Sequence, residues 1–342
     1  MKPRILTGIR PTGALHVGHF FGMLEQTVLL QADFDIFLMI ADVQALTDNF
    51  HQPAKVRAAV LQVARDVLAC GVDPAQSTIF IQSLIPEIAE LTVFLSNLVS
   101  VARLESNPTV KAEIALKRDV FGDSVPYGFL GYPVSQAADI TVFDATCVPV
   151  GDDQLPMLEL ARDVVRKFNR LYGETLFEPQ ARLVESARIM GLDGLSKMGK
   201  SLGNAVFLSD SSDAVMSKVM GAVTDPQKIR LNDLGHPERC TVFSYHQLLQ
   251  TVASVNIAQI ESECRSGARG CVMCKKELAR TIDGFLEPKR VAGTDFSDAQ
   301  ILQMLLEGTR KARAVARATL ARVKKAMQLN YDVIPDDEGR AA

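Results

Sequence analysis

The 342-residue chain contains no tryptophan. A chain of this length would carry about three or four, if Trp makes up roughly 1% of an average composition, so the gap is unusual but excludes nothing alone. Also missing is any apolar run near the ~18–20 residues of a membrane span. The opening stretch MKPRILTGIRPTG lacks the apolar core and small-residue cleavage site of a secretory signal. Together these gaps predict a cytoplasmic protein with no membrane partner. A strong charge is lacking too, with a formal net charge of −3, so any nucleic-acid binding must rest on local patches. Six cysteines are expected to stay reduced in a cytosol. No internal repeat or low-complexity tract is evident.

What is present is an alternation. PRILTGI, DIFLMIAD, STIFIQS and the strand-like TCVPVG are short, rich in Ile, Leu, Phe or Val, and bounded by turn residues. Between them lie helical patterns: HFFGMLEQTVLLQAD, then a stretch with Pro53 at its first turn and Gly71 just past its end, then one from Pro86 to about Glu105. Such alternation predicts an α/β fold with a parallel, helix-covered sheet. Pro108, Gly122, Pro126, Gly128 and Gly131 predict an irregular insertion over about 106–131 with one embedded charged segment. YPVSQAADI and RDVVRKFN read as helical. After about residue 207 only helical patterns remain, ending in a run from Ser297 to Leu329. The expected organisation is an α/β domain over 1–206 and an all-α domain over 207–342.

His16-Val17-Gly18-His19 follows the first strand and a Gly/Pro/Thr loop. Two histidines at this spacing could share a metal ion, but zinc needs further ligands and the His-Glu-x-x-His spacing is absent. A helix N-terminus is an anion site, because its free N–H groups and dipole face outward. Gly18 would then let a nucleotide approach the backbone, and the imidazoles would donate to phosphate oxygens as charge develops. Two incidental surface histidines are the plainer alternative. Far downstream, LDGLSKMGKSLGN places Lys197 and Lys200 three apart among glycines, so a mobile backbone could bring both to a triphosphate. A solvated basic loop is the alternative there.

HVGH and KMGKS in this order resemble the two signature motifs of class I aminoacyl-tRNA synthetases. Gly199 replaces the serine usual in the second. ILTGIRPTGALHVGHFFG, IADVQALTDN, YPVSQAADI, VPVGDDQ and RIMGLDGLSKMGKSLGNA resemble the tryptophanyl branch, in order, over the first 205 residues or so. That resemblance implies a Rossmann-like catalytic domain followed by an all-α, anticodon-binding domain. It also implies a cytoplasmic homodimer that binds tRNA(Trp), L-tryptophan, ATP and Mg²⁺. Carried over residue by residue, it makes His16, His19, Lys197 and Lys200 catalytic. Arg10, Pro11, Thr12, Gly18, Lys111, Gly151, Asp152, Asp153, Ile189, Met198, Gly199 and Ser201 would join His19 and the lysines around ATP. Tyr132, Gln136, Asp139, Val148, Val150 and Gln154 would hold tryptophan. Gln136 stands where relatives carry methionine, and Gln44 where many carry histidine.

Asp139 would accept the indole N–H, the donor that separates tryptophan from tyrosine and phenylalanine. Taken alone it would read as an exposed helix carboxylate. The implied reaction is activation of tryptophan to its adenylate, with release of pyrophosphate, then transfer to the tRNA 3′ ribose. Other readings are a different nucleotidyltransferase, a synthetase-like enzyme for another amino acid, or a paralogue that senses tryptophan or binds RNA. An enzyme of this kind without Trp could also be made during tryptophan starvation.

Cys240, Cys264, Cys271 and Cys274 cluster as C-x23-C-x6-C-x2-C. Four thiolates suit Zn²⁺ or a [4Fe–4S] cluster, and unrelated thiols are the alternative. A subset of tryptophanyl-tRNA synthetases has a similar pattern holding iron–sulfur, so the resemblance favours that group. Cys70 and Cys147 read as ordinary buried thiols. Between Gly308 and Lys325 stand seven basic residues and no acidic one, which reads as a solvated helix face or a set of phosphate contacts.

Overall fold

The computed structural model describes residues 2–122, 124–183, 189–200 and 202–331; the Asp153 side chain also lies outside the description. Five parallel strands form one sheet in the order β3-β2-β1-β4-β5: β1 (Arg4–Ile9), β2 (Asp35–Ile40), β3 (Ser77–Ile81), β4 (Cys147–Val150) and β5 (Gln180–Leu183). The near-continuous apolar strands expected above are what a sheet covered on both faces requires. Along β2, Phe37 and Met39 enter the core on one face, while Leu38 and Ile40 enter the core on the other. β5 was not anticipated. Its residues are all exposed at the sheet edge, so no apolar pattern marks it.

The first crossover is α1 (Val17–His19), a π-helical turn over Phe20–Leu24, and α2 (Glu25–Leu30). α3 (Asp42–Asn49) and α4 (Pro53–Ala69) link β2 to β3, and Gly71 follows with φ +97°. The helix expected from Pro86 to Glu105 is two: α5 (Pro86–Ser96) and α6 (Val101–Glu105), the latter capped by Ser100. The segment 106–131, expected to be irregular, is largely helical. It holds α7 (Pro108–Leu116), α8 (Arg118–Phe121) and the start of α9 (Tyr127–Val142). Asn107 caps α7 by accepting from the Thr109 and Val110 amides, with Pro108 at the first helical position, so the prolines start helices here rather than break them.

After α10 (Leu155–Tyr172) and β5 the described elements are helices: α11 (Ser212–Met220), α12 (Thr241–Leu249), α13 (Ile257–Arg265), α14 (Cys271–Thr294) and α15 (Asp298–Ala326). α14 returns to the first crossover, where Phe285 lies 4.9 Å from Phe20 edge-to-face and 5.6 Å from Phe21 in a stack, measured between ring centroids. α15 covers the β3 edge of the sheet. The Ile81 amide donates to Thr309 Oγ1 at 3.2 Å, and a side chain on Gly308 would run into the Ile79 carbonyl. The basic run of α15 mostly turns to carboxylates of the first half. Arg313 and Arg317 pair with Glu87, Arg322 with Asp144, and Lys324 with Glu90. Among the described residues, no helix is long and apolar enough to cross a membrane.

Candidate active site

In an open parallel sheet, ligands bind at the carboxyl ends of the strands where strand order reverses. Here the reversal falls between β1 and β4, and a cavity of about 360 Å³ opens there. β1 and β4 supply its walls through Leu6, Gly8, Val148 and Val150, while α9 supplies Tyr132, Gln136 and Asp139. Gln154, from the turn after β4, also lines it. All six residues expected to hold tryptophan therefore meet in one cavity.

Asp139 is not the exposed carboxylate that its helix position alone suggests. It is 2% exposed, and burial raises its pKa to about 7 while amide hydrogen bonds oppose the rise. Gln82 Nε2 donates to Oδ1 at 2.8 Å, and Gln44 Nε2 lies 3.5 Å from Oδ2. Burial, and then Glu113, push the Tyr132 hydroxyl well above its ordinary range; that hydroxyl lies 3.9 Å from Met157 Sδ.

Beside this cavity the two signature motifs meet. Lys200 Nζ donates to the Gly13 carbonyl at 2.7 Å, and the Val17 amide donates to the Val206 carbonyl at 2.9 Å. Burial lowers Lys200 to about 8. His16 is the N-cap of α1, and its amide donates to His19 Nδ1 at 3.1 Å. That bond leaves the His19 proton on Nε2. The rings lie 3.8 Å apart. Burial, then the nearby lysines, lower His16 to about 4, while burial and His16 lower His19 to about 2. Both shifts leave the imidazoles neutral at physiological pH, each carrying one N–H.

Gly18 keeps this arrangement open. A Cβ there would lie 2.8 Å from His16 Nδ1 and 3.4 Å from Met198 Sδ. The lysine loop is tightly folded where a mobile backbone was expected. Asn204 Oδ1 accepts from the Gly199 amide at 3.0 Å, and its Nδ2 donates to Asp193 at 2.9 Å and to Ser196 at 3.1 Å. The Met198 amide bonds the Ile189 carbonyl at 2.9 Å. Lys197 is exposed at the loop surface. Ser201 lies outside the described residues, as does the Asp153 side chain.

Of the remaining expected ATP residues, Pro11 and Thr12 form the turn before α1, with the Thr12 amide on the Arg10 carbonyl at 2.9 Å. Gly151 and exposed Asp152 lie at the carboxyl end of β4. Lys111 is exposed on α7. A different lysine, Lys117, reaches inward and pairs with Asp48, which also pairs with Arg10. Asp48, Gln82 and Lys117 were not singled out from sequence. Each is one polar residue at an element end, with no spacing to mark it.

The four clustered cysteines come from the starts of α12 and α14 and from α13, and all line one small cavity of about 20 Å³. Cys274 Sγ lies 3.5 Å from His246 Nε2, and burial raises that thiol to about 12. Burial raises the Cys240 thiol, and the nearby Phe243, Asp225 and Val242 backbone amides oppose that rise. Among the described residues, no three His, Cys, Asp or Glu side chains converge closely enough to hold a single ion as they stand. Cys70 is buried, whereas Cys147 on β4 is half-buried.

The family described as class I tRNA synthetases (W and Y) matches residues 1–287. A tryptophan–tRNA ligase of Clostridium longisporum is 48% identical over 339 residues, 96% of this chain and 98% of that protein. That of Lactococcus lactis subsp. lactis is also 48% identical over 339 residues, covering 96% and 99%. A Campylobacter jejuni tryptophanyl-tRNA synthetase, solved with ADP and tryptophan, superposes with a TM-score of 0.84 at 30% identity, over 95% of this chain and all of that one. The chain is thus a class I aminoacyl-tRNA synthetase. Within that class it belongs to the tryptophanyl-tRNA synthetases.

Proposed function

We propose that this enzyme is a tryptophan–tRNA ligase in which the β1/β4 cavity holds tryptophan and the joined HVGH and KMGKS motifs hold ATP. The observation that carries this reading is the convergence of all six expected tryptophan residues on one cavity at the strand-order reversal, whose Arg10 also acts on Lys200 of the joined motifs. Asp139 accepts the indole N–H, Tyr132 and Gln154 hold the α-amino and carboxylate groups, and Val148 and Val150 flank the ring. The tryptophan carboxylate oxygen bonds the α-phosphorus of ATP as the bond to the β-phosphate oxygen breaks. Pyrophosphate leaves with the electron pair. Lys197 and Lys200 balance the charge that builds on the phosphates, while the neutral imidazoles of His16 and His19 donate to phosphate oxygens. ATP enters as its Mg²⁺ complex, which supplies further charge neutralisation. A ribose hydroxyl at the 3′ end of tRNA(Trp) then takes the tryptophanyl group and AMP leaves. No enzyme nucleophile is needed; positioning carries the acceleration.

Residues 1–206 form the catalytic part of this reading and 207–342 the anticodon-binding part, in a cytoplasmic homodimer. Exposed Val93, Val101, Leu116 and Tyr127 on α5, α6, α7 and α9 offer apolar surface for such pairing. Cys240, Cys264, Cys271 and Cys274 hold a [4Fe–4S] cluster. Four thiols around one cavity, backbone amides that favour an ionised Cys240 and buried Arg269 beside Cys274 suit an anionic thiolate group. Such a group ties three helices together.

Amino-acid-dependent ATP–pyrophosphate exchange across all twenty amino acids tests the activity. Exchange is expected with tryptophan alone, and its absence with tryptophan would overturn the assignment.

A further inference from the structure

We propose that Gln82 is a positioning residue for indole recognition, its amide fixing the Asp139 carboxylate so that one oxygen is left for the substrate's N–H. The inference rests on the assignment of Asp139 as the carboxylate that meets the indole.

Gln82 begins a short 3-10 turn at the carboxyl end of β3 and is 2% exposed. Its Oε1 accepts from the Gln44 backbone amide at 3.0 Å, and its Nε2 donates to Asp139 Oδ1 at 2.8 Å. A backbone N–H only donates and an ionised carboxylate only accepts, so the two ends of the amide cannot be exchanged. The side chain therefore bridges β3, α3 and α9 in one orientation. It holds Oδ1 at full hydrogen-bond strength. Oδ2 has only the long 3.5 Å approach of Gln44 Nε2, which a better-placed donor displaces.

The same bond bears on charge. Among the described residues no cation stands against buried Asp139, and burial pushes its carboxyl toward the protonated form. A protonated carboxyl carries its own O–H and is a poorer acceptor for an indole. Gln82 is the stronger of the two amide contacts that oppose protonation. Charged groups on the surrounding elements are engaged elsewhere. Asp42 on α3 bonds Ser83, Asp48 on α3 pairs with Arg10 and Lys117, and Glu87 on α5 pairs with Arg313 of α15. Arg103 of α6 pairs with Asp163 of α10, and Arg162 of α10 pairs with Glu178. The cavity's other ionisable groups are Arg10, Glu113 and Tyr132.

The test uses Gln82→Met, which keeps length and removes both polar ends, and Gln82→Glu, which keeps the acceptor for the Gln44 amide but sets a second carboxyl against Asp139. kcat/KM for tryptophan in pyrophosphate exchange is measured against pH, with KM for ATP from the same preparations. Because the chain has no tryptophan, the fluorescence of the bound amino acid reports its Kd directly. Gln82→Met is expected to weaken tryptophan binding roughly tenfold at neutral pH. The loss should shrink as pH rises, with the acid limb moved upward and KM for ATP unchanged. Gln82→Glu should move the limb upward further, since two adjoining carboxyls share a proton. An acid limb and Kd equal to those of the unaltered enzyme in both variants would overturn the inference. Asp139→Asn separates it from its basis: if that variant binds tryptophan normally, the assignment of Asp139 fails. If Asp139→Asn damages binding and the Gln82 variants do not, only the role of Gln82 fails.

Discussion

Lys200 sits where its own charge is disfavoured, because burial lowers it to about 8 even though Asp66 opposes the shift. In the free enzyme it is cationic below that pH and neutral above it. kcat/KM for ATP should therefore fall as pH rises through about 8, since the free-enzyme pKa governs that ratio. Lys200→Arg is expected to shift the limb upward because guanidinium stays charged. Lys200→Met should cost on the order of 100-fold in adenylate formation with little change in tryptophan Kd. A pH-rate series for the three proteins checks this; coincident alkaline limbs would rule it out. At this scale the sequence displayed the His16/His19 and Lys197/Lys200 pairs through their spacing, whereas Asp139 stood out only through the family resemblance. It was silent on Gln82 and Asp48, whose roles come from elements that meet only in three dimensions.

At the scale of elements, α15 shows how closely a helix can approach a strand. Gly308 places backbone against β3, with a would-be Cβ only 2.9 Å from the Ile79 carbonyl carbon, so Gly308→Ala must push the helix away. A loss of about 2–3 kcal/mol is expected, measured as a lower denaturant midpoint, and an unchanged midpoint would show that the contact is not tight. Helix and strand legibility followed the same physics. β1 to β4 are buried, so apolar runs announce them, and Pro53 and Gly71 punctuate α4 at its two ends. β5 is exposed and carries no such signal. α7 was hidden because Asn107-Pro108, read as a break, is a cap and first turn.

Across the whole molecule the two halves are not separated by an apolar gap. Val17, Phe20 and Leu24 of the first crossover share one buried core with Val215 of α11, Leu278 and Phe285 of α14, and Leu305 of α15. The cysteine site lies at the far end of α14 from Phe285. Anaerobically purified protein is expected to contain iron and sulfide with broad visible absorbance. Removing the group should raise hydrogen exchange in α12–α14 while the β1–β3 amides stay protected. Bound zinc without iron would replace that cluster, and no metal at all would overturn the site. Sequence displayed the thiols. It could not display that their helix also packs on Phe20 and Phe21, next to the motif histidines.

The sealing of β3 by α15 has a consequence for how the polypeptide is made. β3 is complete by residue 81, but the helix that occupies its outer side spans Asp298–Ala326. A growing chain therefore carries an unpaired apolar strand edge through most of its synthesis, the kind of surface that recruits other strands. Messages truncated before residue 298 should yield aggregates, and a holding chaperone is most useful to the unfinished chain, before α15 is released.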